Sequence, residues 1–427
     1  MRTPLCALPG FALPSPDNLL HPRFGHSVNS HVPKLPQPLA NVLAAVPKTE
    51  LHCHLSGSAP IGLIQEFLRE QGVDEPQIAA DTVLKDCYTD LDDFLATYYK
   101  VPAVIKTPDQ FRRASKAIVL DAARENVRYL EIRSSILSKD PESTPKQLVE
   151  AIEAGIRDGV EEVHRTRGWT MKAGLIILAQ RAGTPEQSLQ SAKLAVKLAS
   201  RPDSLIRGFD LAGSEGQHSV LKHAQALKYF NRYGKPKGLK LTLHAGEVSH
   251  SEGYSGVDSM KQALALGADR IGHGLAMKDD PALMQDMIKD QTPVELCPWS
   301  NVQINAVNPY QSHPLPQFLD AGVNASLSTD NRMMSKITLT DQLAQLYDQK
   351  LLTCWRDLKT ATLNGVRGAF LNDCEKGRLA AQVKSQFTRV EKKYRDVINQ
   401  FFCQTCEHPA IADPPAAATG KRMNKVA

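Results

Sequence analysis

Amphipathic and continuously apolar segments alternate along most of this chain. Helices are predicted where apolar residues recur every three or four positions, at residues 111–125, 145–167, 186–200, 218–233, 257–266, 281–289 and 314–320. Buried strands are predicted where short apolar runs intervene, at residues 127–133, 170–178, 205–211, 239–244, 270–273, 294–297 and 323–327. Strands that alternate with helices in this way pair in parallel, with the helices outside.

A further strand is predicted earlier, at residues 49–55, where an apolar run leads towards a turn at Gly57. It brings the count to eight strands over roughly 280 residues, which favours an α/β fold of the (β/α)8 TIM-barrel type. An open doubly wound sheet is the alternative, but no Gly-x-Gly-x-x-Gly segment follows an early strand. Extra helices are expected after the first strand, at residues 61–70 and 91–99, and at the C-terminus, at residues 339–402.

The two ends of the chain differ in composition from this central region. Residues 1–44 contain eight prolines and little apolar periodicity, which indicates a flexible leader or an extended arm laid over the domain. Residues 45–402 are predicted to form one barrel domain, and residues 403–427 a disordered tail. Cys403 and Cys406 have the spacing of a zinc or redox pair, but no second pair of ligands lies nearby, so no function is expected there.

Charge and cysteine content narrow the class of protein. The 427 residues include 51 basic and 46 acidic ones, without a basic cluster, so a nucleic-acid partner is not expected. No apolar run approaches the roughly 20 residues that cross a bilayer, so no membrane partner is expected either. Eight scattered cysteines do not suggest a disulfide framework, and we expect a cytoplasmic protein. The oligomeric state is left open.

Histidine and acidic residues recur where the predicted strands end. On the first strand, His52 and His54 project to one face because residues two apart point the same way, whereas Cys53 points to the opposite face. Others follow the fifth, sixth and eighth strands: His244, Glu247, His273 and Asp330. The carboxyl ends of barrel strands form the reactive rim, and imidazole with carboxylate suits Zn²⁺. One such histidine is often structural, but four strand ends in order indicate a metal-dependent site.

Six segments, in this order, resemble the signature segments of the adenosine deaminase family of zinc amidohydrolases: HCHLSGS, DLAG, LHAGE, RIGHG, LCPWSN and STDN. The resemblance extends from about Pro47 to Phe370. It implies one Zn²⁺ per chain, with the ligands His52, His54, His244 and Asp330. It also implies that Glu247 donates and shuttles a proton to the purine, and that His273 orients or deprotonates the attacking water.

Six residues are candidates for contact with the substrate: Ser56, Gly213 and Asn331 at positions that the resemblance implies, and also Phe94, Leu95 and Ser135. A structural hydroxyl is an equal alternative for Ser135, and core packing is the alternative for Phe94 and Leu95. Gly213 would let the purine approach a backbone N–H, while Phe94 and Leu95 belong to an aromatic helix that could act as a lid. Asn331 stands where much of the family has Asp, as in some bacterial members. Ser56 stands where adenosine deaminases usually have Asp and adenine-specific relatives have Glu.

The implied reaction is zinc-dependent hydrolytic deamination of adenosine or 2′-deoxyadenosine to the inosine product, with release of ammonia, in purine salvage. The partner would be a small purine nucleoside or base. Two alternatives remain open. One keeps the reaction but acts on adenine, an N6-substituted purine or a modified nucleoside, because Ser56 is shorter and neutral. The other is a non-catalytic zinc-binding relative, against which the presence of Glu247 and His273 argues.

Overall fold

The computed structural model describes residues 31–73, 85–100, 103–137 and 140–403 of the chain. Within these residues, eight parallel strands pair in chain order, each with the next. They are β1 (Lys48–His54), β2 (Val127–Ser135), β3 (Lys172–Gln180), β4 (Ile206–Ala212), β5 (Lys240–Ala245), β6 (Arg270–His273), β7 (Val294–Leu296) and β8 (Ala325–Leu327). Each overlaps a predicted strand, and the predicted (β/α)8 barrel is confirmed.

The barrel closes beside residues that the sequence assigns to a metal. Just beyond β8, the N–H of Asp330 donates to the carbonyl of His52 at 2.9 Å. The N–H of His54 in turn donates to the carbonyl of Asp330, also at 2.9 Å. Cys53 and Asp330 thereby form a parallel bridge between the first strand and the last. The hydrogen bonds that close the barrel therefore also fix the backbone of three predicted ligands.

Helices surround the barrel, and among the described residues none is both long and apolar enough to cross a membrane. The α-helices are α1 (Gln37–Ala45), α2 (Leu55–Ser58), α3 (Ile61–Glu70), α4 (Leu91–Tyr98), α5 (Pro108–Arg124), α6 (Pro145–Arg167), α7 (Pro185–Leu198), α8 (Ala224–Tyr233), α9 (Gly256–Ala265), α10 (Pro281–Lys289), α11 (Pro298–Gln303), α12 (Leu315–Asp320), α13 (Leu339–Asp348), α14 (Trp355–Gly368), α15 (Asp373–Lys393) and α16 (Arg395–Phe401). Short 3-10 helices are Val220–His223, Lys235–Lys237, Leu275–Asp279 and Tyr310–Ser312. A small antiparallel pair joins His250–Ser251 to Tyr254–Ser255.

Three of the outer helices begin with the same local sequence, Thr-Pro-x-Gln. Helices α5, α6 and α7 follow Thr107, Thr144 and Thr184, and each threonine side chain accepts the backbone N–H of the glutamine three residues on. Each glutamine side chain bonds back to the N–H of its threonine, which completes a capping box. Proline occupies the first helical position, where no intrahelical N–H bond is lost. Local chemistry therefore sets where these helices begin.

The C-terminal end of the predicted leader is helical. Residues 37–44 lie in helix α1, whose Leu39, Val42 and Leu43 are buried against the domain. Their spacing of three and four residues is that of a short amphipathic helix, which the surrounding prolines obscured. We propose that the folded domain begins by residue 37 rather than at residue 45. Residues 1–30 and 404–427 lie outside the described residues, as does Cys406, whereas Cys403 is free and exposed.

Two other predictions differ in detail. The segment 339–402, expected to be helical throughout, consists of α13, α14, α15 and α16 with short breaks, and α14 packs on β1 and β8. The turn expected at Gly57 is instead the single-turn helix α2, which begins directly after His54.

Candidate active site

Four of the predicted metal ligands meet at the carboxyl end of the barrel. The Nε2 atom of His54 lies 3.3 Å from Nε2 of His52 and 3.1 Å from Nε2 of His244. Oδ1 of Asp330 lies 3.4 Å from the His52 Nε2 and 3.3 Å from the His54 Nε2. The Ser300 hydroxyl donates to the other carboxylate oxygen of Asp330 at 2.7 Å, so that Oδ1 is left facing the histidines.

Two buried carboxylates determine which ring nitrogen of the histidines faces the cluster. Nδ1 of His52 lies 2.6 Å from Oε2 of Glu295, and Nδ1 of His244 lies 3.1 Å from Oδ1 of Asp210. In a neutral imidazole, the Nδ1–H donates a hydrogen bond to the carboxylate. The Nε2 atom then carries the lone pair, which points into the cluster. This is the orientation that a metal-binding histidine requires.

The donor atoms lie close enough together to share one metal ion. Two donors bound at about 2.05 Å to the same Zn²⁺ are about 3.3 Å apart when they subtend a tetrahedral angle at the ion. The four separations given above run from 3.1 to 3.4 Å. Imidazole nitrogen and carboxylate oxygen are donors that Zn²⁺ binds readily. The residues present therefore fit a zinc ion.

A buried arginine on β2 joins the two supporting carboxylates. Arg133 donates to Oδ2 of Asp210 at 2.8 Å and to Oε2 of Glu295 at 2.7 Å, and Arg270 also pairs with Glu295. Burial would raise the pKa of Glu295, but the charges of Arg133 and Arg270 hold it well below its ordinary value. The sequence analysis did not identify this layer. Charged residues within an otherwise apolar strand, such as Arg133 in β2, were the signal available.

Glu247 and His273 lie together beside the cluster. Oε1 of Glu247 lies 3.5 Å from Nε2 of His273, and the Asn301 amide lies 3.4 Å from Nδ1 of the same ring. Burial, followed by the nearby charge of Asp330, raises the pKa of Glu247 well above its ordinary value. Burial lowers the pKa of His273 well below its ordinary value. A protonated carboxyl and a neutral imidazole are thus favoured side by side, as acid–base chemistry near neutral pH requires.

Three residues of the site have a left-handed backbone. His273 has φ 61°, Asp330 has φ 64° and Gly213 has φ 117°. Non-glycine residues adopt such values at a cost of about 1–3 kcal/mol, usually where function requires a particular side-chain direction. At Gly213 the conformation is one that glycine adopts readily, and a Cβ would lie 3.4 Å from the Tyr99 hydroxyl.

The cluster opens into a cavity of about 420 Å³, a volume that includes the open solvent at its mouth. Nine of the predicted residues line it: His54, Phe94, Leu95, Gly213, His244, Glu247, His273, Asp330 and Asn331. Helix α4 forms one wall, and Tyr98, Tyr99, Leu178 and Gln180 are lining residues that the sequence analysis did not assign. Within the described part of the chain, no lysine or arginine lines this cavity.

Two of the predicted substrate contacts lie elsewhere. The Ser56 side chain is hydrogen-bonded to Tyr98 and does not line the cavity, because the chain turns into α2 directly after His54. The Ser135 hydroxyl, at the end of β2, accepts the N–H of Leu137 at 3.4 Å. Neither serine is brought to the substrate cavity.

Comparisons with known proteins agree with this arrangement. A sequence profile described as adenosine deaminase matches residues 47–386. The adenosine deaminase of Enterococcus faecalis is 30% identical over 349 residues, which cover 80% of this chain and 97% of that protein. The adenosine deaminase of Streptococcus mutans is 30% identical over 363 residues, which cover 83% of this chain and 97% of that protein.

Solved structures share the fold at lower identity. The adenine deaminase of Arthrobacter aurescens has a TM-score of 0.69 at 24% identity, covering 80% of this chain and 99% of that one. The N6-methyl-AMP deaminase of Arabidopsis thaliana has a TM-score of 0.68 at 22% identity, covering 81% and 98%. An amidohydrolase of Burkholderia ambifaria with bound Zn has a TM-score of 0.71 at 20% identity, covering 88% and 99%.

Proposed function

This chain belongs to the adenosine deaminase family of hydrolases that act on carbon–nitrogen bonds, and from this premise we propose that it deaminates adenosine and 2′-deoxyadenosine. Water is consumed, the carbon–amine bond is replaced by a carbon–oxygen bond, and ammonia leaves. The products are inosine and 2′-deoxyinosine. One observation carries the proposal: potential metal ligands, including His54, His244 and Asp330, line a single cavity together with the buried side chains of Glu247 and His273.

We further propose that each chain holds one Zn²⁺ through His52, His54, His244 and Asp330. The spacing of the four donors and the carboxylates behind His52 and His244 support this ligand set. When bound, the ion supplies Lewis-acid activation of water at neutral pH.

Glu247 is the proton donor in this proposal. Burial raises its pKa and so favours a carboxyl that carries a proton, which it can donate to the ring nitrogen beside the carbon that carries the amine. Protonation there makes the ring carbon more electrophilic, and the carboxylate that remains can accept a proton from the attacking water and pass it to the leaving amine. His273 lies within 3.5 Å of Glu247 and holds the attacking water by its neutral ring.

The residues that line the cavity are suited to a purine, because they include both polar groups and an apolar surface. Gly213 has no side chain to keep a ring from the backbone, and the Asn331 amide always carries an N–H for a ring nitrogen. Phe94 and Leu95 of α4 offer an apolar surface for the base. The described lining contains no lysine or arginine to balance a phosphate, which favours a nucleoside or a free base over a nucleotide.

A second candidate, deamination of adenine or an N6-substituted purine, is favoured by the position of Ser56. Its hydroxyl bonds to Tyr98, and it offers no carboxylate to a ribose hydroxyl. Apart from the predicted metal ligands, Glu247 and His273, the polar side chains of the described lining are Tyr98, Tyr99, Gln180 and Asn331, none of which is a carboxylate.

A substrate screen tests the two candidates. Protein of measured zinc content is mixed at pH 7 with adenosine, 2′-deoxyadenosine, adenine, N6-methyladenosine or AMP, and absorbance follows the loss of the amine. We expect about one zinc per chain, and turnover of adenosine and 2′-deoxyadenosine with AMP the poorest substrate. Turnover of adenine with inert adenosine would replace the first candidate by the second. A folded, zinc-loaded protein that turns over none of the five would reject both.

A further inference from the structure

The turn that carries Glu247 is held from one side by a buried carboxylate. Gly246 and Glu247 follow directly after β5, which ends at Ala245. Oε1 of Glu215 accepts the N–H of Glu247 at 2.8 Å, and Oε2 accepts the N–H of Gly246 at 3.0 Å. Glu215 thus binds the backbone of the proposed proton donor itself.

The same carboxylate is anchored by two further side chains. The Tyr254 hydroxyl donates to Oε2 of Glu215 at 2.8 Å, and the Ser259 hydroxyl donates to it at 2.5 Å. The Glu215 carboxylate thus accepts four hydrogen bonds, and the residue is only 2% exposed. These contacts fix the orientation of the carboxylate. Glu215 lies two residues beyond Gly213, so it ties the rim loop after β4 to the turn after β5.

An arginine holds the other side of the turn. Arg181, which is fully buried, donates to the carbonyl of His244 at 2.6 Å and to the carbonyl of His218 at 2.8 Å. It also lies 3.8 Å from Oε2 of Glu215, close enough to stabilise that buried charge. The backbone is therefore held before the turn by Arg181 and within it by Glu215.

We propose that Glu215 is a positioning residue, which orients the backbone of Glu247 so that its carboxyl faces the purine ring nitrogen. The proposal rests on the proposed function and deepens it. Glu215 acts through Glu247 and does not line the substrate cavity. A displacement of about 1 Å in a reacting group costs about 100-fold in rate, so a loosened turn would slow the chemistry without weakening substrate binding.

The first test is Glu215→Gln. The amide has one oxygen, so its NH2 group must face either the N–H of Glu247 or the three donors to Oε2, and at least one contact is lost. We expect kcat to fall about 100-fold while KM stays within about twofold. Zinc content should not change. A kcat equal to that of the wild type would overturn the proposal.

A matched control shows whether the effect is specific to this turn. Glu153 is also buried, and it accepts the N–H of Leu205 at 2.7 Å and the Ser204 hydroxyl at 3.1 Å, at the start of β4 and the opposite end of the barrel. Glu153→Gln should lower the unfolding temperature and leave kcat unchanged. An equal loss of kcat in Glu153→Gln and Glu215→Gln would assign the effect to general loosening and overturn the proposal.

A double-mutant comparison then tests whether Glu215 acts through Glu247. In a Glu247→Gln background, Glu215→Gln should reduce the residual rate by no more than about twofold, because residues that act as a unit are not additive. A further 100-fold loss would mean an independent role and overturn the proposal. If Glu215→Gln does not fold, Glu215→Asp retains the charge on a shorter side chain. It should lower kcat about 10-fold at unchanged KM, and a wild-type kcat would again overturn the proposal.

Amide hydrogen exchange separates this inference from the proposed function. In wild-type protein the amides of Gly246 and Glu247 should exchange slowly, and in Glu215→Gln they should exchange at least tenfold faster while those of β5 are unchanged. Unchanged protection of these two amides would overturn the positioning role even in an active enzyme. A protein inactive towards every purine, but with the expected loss of protection, would refute the proposed function and leave Glu215 as the residue that holds the turn.

Discussion

At the scale of single residues, the side chains of the site depend on burial for their chemistry. Glu247 and His273 have opposite pKa shifts with the same first cause, since burial disfavours a charge on either group. The carboxyl therefore keeps its proton and the imidazole stays neutral. Arg133 and Arg270 provide the converse case, because their charges keep Glu295 ionised despite its burial.

Glu247→Gln tests the role of the proton. An amide matches the carboxyl in shape but cannot transfer a proton, so we expect kcat to fall about 10²–10⁴-fold with zinc content unchanged. Steady-state kinetics and metal analysis measure both quantities. Glu252→Gln, at an exposed carboxylate a few residues beyond the turn, serves as the control and should keep full activity. Full activity in Glu247→Gln would remove Glu247 from the mechanism.

His313, which does not line the substrate cavity, should make the free energy of unfolding depend on pH. Burial lowers its pKa from 6.5 to about 3, and its Nδ1 accepts the N–H of Leu315 at 3.1 Å. As the pH falls below 6.5, the unfolded chain binds the proton before the folded one, so acid destabilises the wild type. This stability is present above pH 6.5 and is lost progressively as the pH falls towards about 3.

The comparison variant is His313→Asn, whose side-chain oxygen can accept the same N–H without titrating. Between pH 6.5 and 5.5, the wild type should lose about 1 kcal/mol of unfolding free energy relative to this variant. Urea unfolding at the two pH values measures the difference, and effects on the metal ligands are common to both proteins. Parallel losses in the two proteins would show that His313 does not titrate as expected.

At the scale of elements, local sequence explains much of the fold. Residues 145–167 were predicted as a helix and form α6 with the same bounds, because Thr144 begins a capping box and Gly168 ends the helix at φ 68°. Strand bounds were less accurate. The strand predicted at 170–178 is Lys172–Gln180, because the pairing partner and not the apolar run decides where a strand ends.

Helix α4 forms one wall of the cavity, and the effect of this helix on substrate binding can be tested at its N-cap. The Asp90 side chain accepts the N–H of Asp93 at 2.9 Å and caps this helix, on which Phe94 and Tyr98 face the cavity. Asp90→Ala should cost the helix about 1 kcal/mol, which corresponds to about a fivefold rise in KM with little change in kcat. Steady-state kinetics with the best purine substrate measures both.

Thr107→Ala is the matched control, because it removes the cap of α5, which does not line the cavity. It should lower the unfolding temperature and leave KM unchanged. An equal rise of KM in both variants, or none in Asp90→Ala, would contradict a specific role for α4 in the substrate wall.

At the scale of the whole molecule, the described parts of both chain ends pack together. Helix α1 contacts α13 and α16, and α14 covers the strands that close the barrel. The His31 ring stacks on Trp299 with centroids 4.5 Å apart, so the segment before α1 also reaches the rim. We therefore propose that residues from about 31 onward belong to the catalytic domain.

Two truncations test this boundary. Deletion of residues 1–30 removes none of the contacts made among the described residues and should leave the unfolding free energy and kcat unchanged. Deletion of residues 1–45 removes the buried Leu39, Val42 and Leu43 and should cost about 5 kcal/mol. Urea unfolding and activity assays compare the two proteins. Equal stability of both truncated forms would return the boundary to residue 45.

The sequence by itself determined the order of the elements and the six residues at the centre of the site. Apolar periodicity is a local property, and His52, His54, His244, Glu247, His273 and Asp330 each follow or end a predicted strand. Parallel strands bring their carboxyl ends to one rim, so the order of the strands alone places these residues near one another.

Only the tertiary structure decided which buried groups form hydrogen bonds and ion pairs with one another. Arg133 and Glu295 are 162 positions apart, and Glu215 reaches Glu247 across 32 positions. The Ser56 side chain faces Tyr98 because the chain turns into α2, a choice made by packing. Buried charges must pair with whatever lies beside them, and what lies beside them depends on the closed barrel as a whole.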